Sequence, residues 1–492
     1  MPFDYEPVFS SQARQRRRLD TQPESLASSK TSKSFDNPVI RVESPDDQQS
    51  AAETTVLTKS ADWIRHKGHT ISFFALFLFT VILYLRPYEL FPALSSLTSM
   101  AFYTGVLTLG IYVISQIAIE GNLTARTREI NLALLLGLAA LLSMPLAIDR
   151  AEAWKTFSEL LIKALLIFIV IVNVVRTKRR LEWLIWLALG VSIYLSINAI
   201  QDYQVGVFKI GSLENHNLRI AGRIGGLFEN ANDLALHLVT MVPIAIGLAL
   251  AKKGVIRKVV YLPVAVLMIA AIVVTFSRGG FIGLVAVSVF LTYKLGRGHR
   301  IAAATGFLLA VVLFLVLAPG SYGGRLSTIF NSAGDLTGSA SQRNQVLIRS
   351  IIVTLRYPLF GVGLGNFHYR SFQELGTHNA YTQVGSEMGI PAMIVYIMFL
   401  IYPFKRLREI EKATDGQKEE RFYYYLSIGL QASLLGYMFA SFFAAVAYQW
   451  YIYYLVGYAI ATRRIYISHA ENGPPVHGQA LAGTRAALVA RS

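Results

Sequence analysis

The sequence predicts an all-α polytopic membrane protein with about 12 transmembrane helices. Hydrophobic residues make up 53% of the 492 residues and charged residues only 15%, whereas soluble domains are about 25% charged. Apolar runs near the length of a bilayer crossing recur from about residue 70 to 462. The chain has no cysteine, which excludes disulfides, thiolate nucleophiles and Cys-ligated metal centres.

Residues 1–69 differ in composition from the rest of the chain. They are rich in Ser, Gln, Thr, Asp and Arg and lack apolar runs, so we expect a disordered cytoplasmic tail without a signal peptide. A basic cluster, Arg14 with Arg16, Arg17 and Arg18, suits either contact with anionic headgroups or a solvated charge that sets topology.

The transmembrane domain is predicted to cover residues 70–462, with a cytoplasmic tail at 463–492. Two pairs of spans are expected to be joined by very tight turns, at 277–278 and at 444. The predicted spans lie near 70–85, 98–118, 130–147, 158–174, 182–200, 233–250, 259–276, 279–293, 301–318, 388–403, 423–443 and 445–462.

The distribution of basic residues predicts the orientation. With the N-terminus inside, the short cytoplasmic loops hold 19 Lys and Arg residues and the short outside loops hold 4. This asymmetry is the positive-inside pattern of an inner-membrane protein with both termini in the cytoplasm. It accounts for the net charge of +16 without a nucleic-acid partner.

Two long segments, 201–232 and 319–387, fall on the periplasmic side of this topology. Structureless loops of such length are uncommon unless they have a function. Ser341 to Arg356 has the period of an amphipathic helix that ends before Pro358, and we expect it to lie at the membrane surface or to cap the bundle. Its apolar stripe consists of Leu347, Ile348, Ile351, Ile352 and Leu355.

Arginines on the outside are the first candidates for chemistry. Arg278 stands in a turn between two spans, where a charge is costly and usually has a task, and the glycines after it would let the backbone approach a ligand. The planar guanidinium suits phosphate oxygens. We therefore expect Arg223, Arg278 and Arg343 to converge on a diphosphate such as that of a polyprenyl carrier, although Arg278 also fits a role as a snorkelling anchor.

His378 is the candidate base. It stands just before the tenth predicted span, and an imidazole titrates near neutral pH, so it suits removal of a proton from a sugar hydroxyl. Asn379 or Glu387 could orient its ring. Lys163, in the outer half of the fourth span, fits equally a cation that lines the cavity and one that snorkels to the surface.

Two other site types are not supported. Residues 361–365, Gly-Val-Gly-Leu-Gly, resemble the start of a dinucleotide fingerprint but lack a preceding buried strand, so tight turns are the better interpretation. There is no Walker A motif, and the outside loops lack clustered carboxylates, so we expect neither cofactor nor metal.

Four segments resemble the motifs of the O-antigen ligase and polymerase superfamily, in the right order, over about 223–390. The one departure is Ala231, where proline is usual. The segments are the RxxGxFxNPNxLA-like stretch from Arg223 to Ala235, the SRG element from Ser277 to Gly279, Arg343 with the PLxGxGxGxF-like stretch from Pro358 to Phe367, and the HN…ExG element at His378, Asn379 and Glu387 to Gly389.

The resemblance implies a metal-independent, inverting glycosyltransferase of the GT-C type at the periplasmic face. The donor would be a glycan on undecaprenyl diphosphate, and the acceptor a second glycan or a lipid A core sugar, with chain-length regulators or export proteins as further partners. His378 would be the base, and Arg223, Arg278 and Arg343 would hold the diphosphate. Asn232, Asn379, Glu387 and Lys163 complete the predicted substrate-binding set.

The sequence does not separate ligase from polymerase, because only the acceptor differs. The alternative from another class is a small-anion transporter of the bicarbonate type. A coupled carrier usually has acidic residues at mid-membrane, which the predicted spans almost lack. A flippase would need cations along a continuous path, whereas here they gather at one face.

Overall fold

The structure is a computed structural model that describes residues 69–97, 99–207, 209–210, 218–223, 228, 230–251, 254–296 and 339–472. The predicted tail up to residue 68, the predicted span 301–318 and the residues after 472 lie outside these ranges.

The regular secondary structure of the described part of the chain is almost entirely helical. The short antiparallel pair of β1 (Lys209–Ile210) and β2 (Leu218–Arg219) is its one strand pairing in the described ranges. In chain order the principal helices are α1 (Thr70–Leu85), α2 (Met100–Glu120), α3 (Arg128–Ser143), α4 (Arg150–Val174), α5 (Lys178–Val205), α6 (Ala231–Ala251), α7 (Val255–Val274), α8 (Arg278–Leu295), α9 (Ser339–Arg356), α10 (Ala380–Met388), α11 (Ile390–Thr414), α12 (Arg421–Ala440) and α13 (Trp450–Asn472). Short helical turns lie at Pro87–Leu90, Pro92–Leu97, Met144–Leu146, Phe367–Arg370, Phe372–Glu374 and Ser441–Phe443, and α4 contains a π-helical segment at Phe157–Leu161.

Within the described ranges, 9 helices are long and apolar enough to cross a bilayer: α1, α2, α3, α4, α5, α6, α8, α11 and α12. Helices α7 and α13 also form at predicted spans; the apolar part of α7, Lys258–Val274, is shorter than the others. The predicted class, an all-helical polytopic membrane protein, is confirmed. The total of twelve spans remains a prediction.

Helices α6 and α12 form the centre of the bundle. They approach closely because small residues face each other: a Cβ atom at Gly247 would lie 2.8 Å from the Tyr425 carbonyl oxygen, and one at Gly429 would lie 2.7 Å from that of Pro243. Ser433 Oγ also donates to the Thr240 carbonyl at 2.6 Å. Packing of small residues with interhelical hydrogen bonds is how helices associate in lipid, where the hydrophobic effect does not drive them together.

Helix α2 lies at the periphery, and only 17% of its most apolar window is buried. Ile114 and Tyr103 are 72% and 68% exposed. Such side chains are stable in contact with acyl chains, and an α-helix pairs its interior backbone groups within itself, as a lipid-facing segment requires.

The connection between α12 and α13 corrects a prediction. A single residue, 444, was expected between the two spans, but α12 ends at Ala440 and α13 begins at Trp450. The intervening residues are mostly apolar and read as helix. Only Ser441–Phe443 form a helical turn, and tertiary hydrogen bonds hold the residues after it in another conformation: Tyr437 Oη donates to the Val446 carbonyl at 3.2 Å, and Gln383 Oε1 accepts from Ala447 N. Helix α13 also continues to Asn472, past the expected end at residue 462.

The amphipathic helix predicted at Ser341 to Arg356 is confirmed as α9. It ends at Arg356, as expected two residues before a proline. Val346, Ser350 and Val353 are buried. Val346 and Val353 form a small apolar cluster with Val362 and Phe367 of the segment after α9, and Thr354 packs against Gly385 of α10. The apolar stripe of the sequence lies on the other side, where Ile348 and Leu355 are 51% and 67% exposed.

Candidate functional site

The turn that carries Arg278 is held by its own serine. Helix α7 ends at Val274 and α8 begins at Arg278, so the predicted tight turn is confirmed. Ser277 Oγ accepts from Gly280 N at 3.2 Å as the N-cap of α8, and it donates to Asn232 Oδ1 at 2.9 Å. Both side chains are buried. This bond ties the start of α8 to the start of α6, and thus the SRG element to the first motif.

The two glycines after Arg278 have a different role from the one predicted. A Cβ atom at Gly279 would lie 2.9 Å from Phe443 Cβ, and one at Gly280 would lie 2.6 Å from Ala235 Cβ. The expectation that they open the backbone to a ligand is wrong, because helix packing fills that space. They allow α8 to approach α6 and the turn Ser441–Phe443, while Arg278 itself stays half-buried at the first position of α8.

Asn379 links the HN element to the same turn. Its Oδ1 accepts from Tyr381 N at 2.9 Å and Thr382 N at 3.0 Å as the N-cap of α10. Its Nδ2 donates to the Phe442 carbonyl at 3.3 Å. Because Gly279 also packs on this turn, against Phe443, the elements that carry Arg278 and His378 are joined through three residues, Ser441–Phe443.

His378 has left-handed backbone geometry, with φ 51°. Such a conformation costs free energy for a residue with a Cβ and is concentrated at functional sites. The cap made by the next residue, Asn379, holds it in place. The side chain is half-buried, so part of it is accessible from outside the bundle.

Glu387 holds the glycine-rich loop, residues 361–365. Gly365 N donates to its Oε2 at 2.9 Å, and the Tyr448 hydroxyl donates to the same atom at 2.8 Å. Gly363 N also donates to the Glu387 backbone carbonyl at 3.0 Å. Burial raises the pKa of the Glu387 carboxyl to about 7, although the two hydrogen bonds to it act in the opposite direction.

The loop at 361–365 is a set of tight turns, as interpreted from the sequence. It follows helix α9 rather than a strand. Gly361 and Gly363 have φ of 67° and 100°. A Cβ atom would lie 2.3 Å from the Glu387 carbonyl carbon at Gly361 and 2.4 Å from Ala147 Cβ at Gly363. The glycines therefore serve close packing on α10 and on the segment before α4.

Arg343 lies in the first half of α9 and is half-buried. Its helix packs on α10: the buried Thr354 side chain would be 3.0 Å from a Cβ atom at Gly385. Beyond the end of α9, Ile390 N donates to the Pro358 carbonyl at 2.7 Å. The third motif is thus attached to the fourth along the length of α10.

Arg223 is paired with a residue that the sequence reasoning missed. Its Nη2 lies 2.5 Å from Asp202 Oδ1, and its Nε lies 3.2 Å from the same oxygen. The Asp202 side chain is 10% exposed and that of Arg223 is 49% exposed. The signal for this pair was an acidic residue at the end of a predicted span. The pairing was not evident in the sequence because Asp202 and Arg223 are 21 residues apart.

Lys163 lies elsewhere. It is exposed, and its Nζ is 5.9 Å from the ring centroid of Phe102, itself 56% exposed on the peripheral helix α2. This position favours the snorkelling alternative over a place with the four motifs.

A polar cluster beside the glycine-rich loop was also missed. Asp149 caps α4, and its backbone N donates to Asn366 Oδ1 at 2.6 Å. Tyr369 Oη donates to Asp149 Oδ2 at 3.3 Å, and His368 Nε2 lies 3.5 Å from Glu152 Oε2. The hydrogen bond from Glu152 N is the main cause that lowers the pKa of Asp149. No three His, Asp or Glu side chains within the described ranges are grouped so as to hold a metal ion.

A bundle of apolar helices, with Arg278 and His378 on turns that Ser441–Phe443 join, defines a multi-pass membrane protein with a candidate site at those turns. Residues 263–397 match the family model described as O-antigen ligase. The match confirms the resemblance to the O-antigen ligase and polymerase superfamily, and it includes Arg278, Arg343 and His378. Comparison with curated proteins gave no match.

The family match supports glycan transfer of the ligase or polymerase type, from a lipid-linked donor to an acceptor, in a bacterial membrane. It gives no support to the transport alternative.

Proposed function

We propose that the protein transfers a glycan from an undecaprenyl diphosphate carrier to an acceptor hydroxyl at the periplasmic face of the inner membrane, with both termini in the cytoplasm. It would act as an O-antigen ligase or as an O-antigen or exopolysaccharide polymerase. The observation that carries the proposal is the link between the turns of Arg278 and His378 through Ser441–Phe443. Both of the turns that are linked in this way lie inside the matched residues 263–397.

The reaction is a direct displacement that needs no metal. The acceptor oxygen forms a bond to the anomeric carbon while the bond from that carbon to the diphosphate oxygen breaks, so the configuration inverts. The electron pair leaves with the diphosphate, and the hydroxyl proton passes to the His378 imidazole, which acts as general base. Undecaprenyl diphosphate and the lengthened or ligated glycan are the products.

Arg223, Arg278 and Arg343 stabilise the charge that develops on the leaving diphosphate. The Asp202 pair engages Nε and Nη2 of Arg223, and among the residues that the structure describes the Nη1 amino group remains for a phosphate oxygen. Asp202 would hold the planar group in one orientation and keep it charged, because this hydrogen bond raises the pKa of Arg223.

In this proposal the side chains of Ser277, Asn232, Asn379 and Glu387 position the site and do not contact the substrate. Their hydrogen bonds fix the starts of α6, α8 and α10 and the glycine-rich loop. Positioning of this kind allows a site to act without reorganisation when charge develops.

The test is a reconstitution. Purified protein in liposomes receives an undecaprenyl-diphosphate-linked glycan and candidate acceptors, without added metal or nucleotide, and release of undecaprenyl diphosphate is followed. We expect release that depends on the acceptor and falls by 100-fold or more in His378→Ala, since general base catalysis contributes about 10²–10⁴-fold.

His469→Ala is the matched control, because His469 is exposed on α13 and pairs with Glu420 instead of a motif residue. Its activity should stay near that of the wild type. Full activity of a correctly inserted His378→Ala protein would refute the assignment of the base. The product then separates the two activities: a longer lipid-linked glycan indicates a polymerase, and a glycan on lipid A core indicates a ligase. Uptake of a small anion without release would favour the transporter.

A further inference from the structure

An open groove lies on the side of α9 that does not pack against α10. Its volume is about 470 Å³, within the range of ligand pockets. The groove is lined by Gln345, Ile348, Arg349, Ile352, Arg370, Ser371 and Phe372. We call it the α9 groove. None of the predicted substrate-binding residues lines it.

Arginines are gathered at one edge of the α9 groove. Arg349 Nε donates to the Arg370 carbonyl at 2.7 Å, which engages one of the five N–H donors of its guanidinium. The guanidinium carbons of Arg356 and Arg370 each lie 6.0 Å from the ring centroid of Tyr357. In the part of the chain that the structure describes, none of these three arginines forms an ion pair with a carboxylate. Three cations held together in this way favour an anion beside them.

The groove is also lined by exposed apolar side chains. Ile348 is 51% exposed, Ile352 47% and Phe372 50%, and Leu355, further along α9, is 67% exposed. A helix with apolar residues on one face and arginines beside them is the pattern of segments that lie in the membrane interface. Aliphatic side chains of this exposure are more stable against acyl chains than in water.

The end of α9 is attached to the end of a membrane span. Ile390, the first residue of span α11, donates its N–H to the Pro358 carbonyl just after α9. The C-terminal half of α9, with Arg356 and the residues that face the groove, therefore lies at the level where a span leaves the hydrocarbon. Phospholipid headgroups occupy this level.

We propose that the α9 groove binds one anionic phospholipid of the surrounding leaflet. Its phosphate contacts the guanidinium groups of Arg349 and Arg370, and one acyl chain lies along Ile348, Ile352 and Phe372. The lipid holds α9 at the membrane interface from the side opposite to α10. This inference does not depend on glycan transfer.

The first experiment counts bound lipid. The full-length protein is reconstituted in nanodiscs of phosphatidylcholine with a minor fraction of phosphatidylglycerol, and lipids retained on release are measured by native mass spectrometry. We expect retention of phosphatidylglycerol over phosphatidylcholine, and a loss of at least fivefold in the double variant Arg349→Gln with Arg370→Gln. Arg126→Gln with Arg128→Gln removes the same charge from exposed residues at the start of α3 and should change retention by less than twofold.

The second experiment measures depth and needs no arginine variant. Because the chain has no cysteine, Leu355→Cys and Gln373→Cys each provide a single site for a nitroxide label. In the same nanodiscs, we expect a water-soluble nickel chelate to relax the label at 355 at least fivefold less than the label at 373.

Equal retention of phosphatidylglycerol in both double variants would overturn the proposal. So would a label at 355 that the nickel chelate reaches as readily as the label at 373, because the apolar face would then be open to water and available to a protein partner instead.

Discussion

At the residue scale, the polar side chains of the motifs divide into two groups. Ser277, Asn232, Asn379 and Glu387 are buried, and each forms hydrogen bonds that fix a helix start or a turn. His378, Arg278 and Arg343 are half-buried, with part of each side chain accessible. The first group explains why the motifs contain amides and a carboxyl, and the second supplies the groups proposed to meet substrate.

Glu387 predicts a pH-dependent stability. Its pKa is raised from 4.5 to about 7 by burial, so the carboxyl stays neutral in the folded protein between these values while the unfolded chain is ionised. The free energy of unfolding is therefore highest below about pH 4.5. It falls by up to about 3 kcal/mol as the pH rises to about 7, because the folded state then has to bury an ionised carboxylate. We expect the melting temperature of the wild type in detergent to fall over this range, and that of Glu387→Gln to fall less. Parallel curves for the two proteins would contradict this account.

At the element scale, the starts of α8 and α10 meet at Ser441–Phe443, and the glycine-rich loop packs on the end of α10. Backbone contacts dominate here: Val362 N donates to the Ser386 carbonyl at 2.9 Å, next to the Gly363 bond to Glu387. The loop is thus an integral part of the support for α10.

The loop predicts a clear contrast between two glycines. Gly361→Ala introduces a Cβ atom 2.3 Å from the Glu387 backbone at a φ of 67°, whereas Gly376→Ala meets nothing within 4 Å. We expect Gly361→Ala to lose about 2 kcal/mol or more and Gly376→Ala to be nearly neutral. The measurement is the fraction that remains monodisperse on size exclusion after heating. Similar survival of the two variants would show that the loop does not support α10.

At the scale of the whole molecule, the helices divide into a central pair, α6 and α12, and peripheral helices such as α2. Ion pairs also lie far from the motif turns: Lys294, in the last turn of α8, is 2.7 Å from Glu411 Oε1 of α11, and Arg176, just after α4, is 2.6 Å from Glu120 of α2. These charged ends coincide with the loops that the sequence assigns to the cytoplasm.

The predicted orientation is testable with single cysteines in this cysteine-free chain. Gln373 and Lys418 are both exposed, in segments expected on opposite sides of the membrane. An impermeant maleimide should label Gln373→Cys in spheroplasts and Lys418→Cys only after lysis. Labelling of both before lysis, or in the reverse order, would refute the topology.

Much of the fold was predictable because the spans are signalled by hydropathy alone. The pairing of Arg223 with Asp202 was not, because it depends on how the end of α5 meets a loop 21 residues later. The role of Gly279 and Gly280 was misjudged for a related reason, since sequence cannot tell a glycine that admits a ligand from one that admits a neighbouring helix. The segment 441–449 reads as helix until the hydrogen bonds from α10 are known.

The turn Ser441–Phe443 is a continuous piece of backbone that contacts both the turn of Arg278 and the turn of His378, and it sets the spacing between them. Asn379 donates a hydrogen bond to its Phe442 carbonyl and Gly279 packs against its Phe443, so withdrawal of α8 or α10 would break a contact with the end of α12. If the proposed transfer takes place at these turns, a bulkier acceptor would not be accommodated by spreading these helices apart. Selectivity for acceptor size would then reside in the surrounding loops. Exchange of those loops between related proteins should change the product and leave the rate of the displacement reaction unchanged.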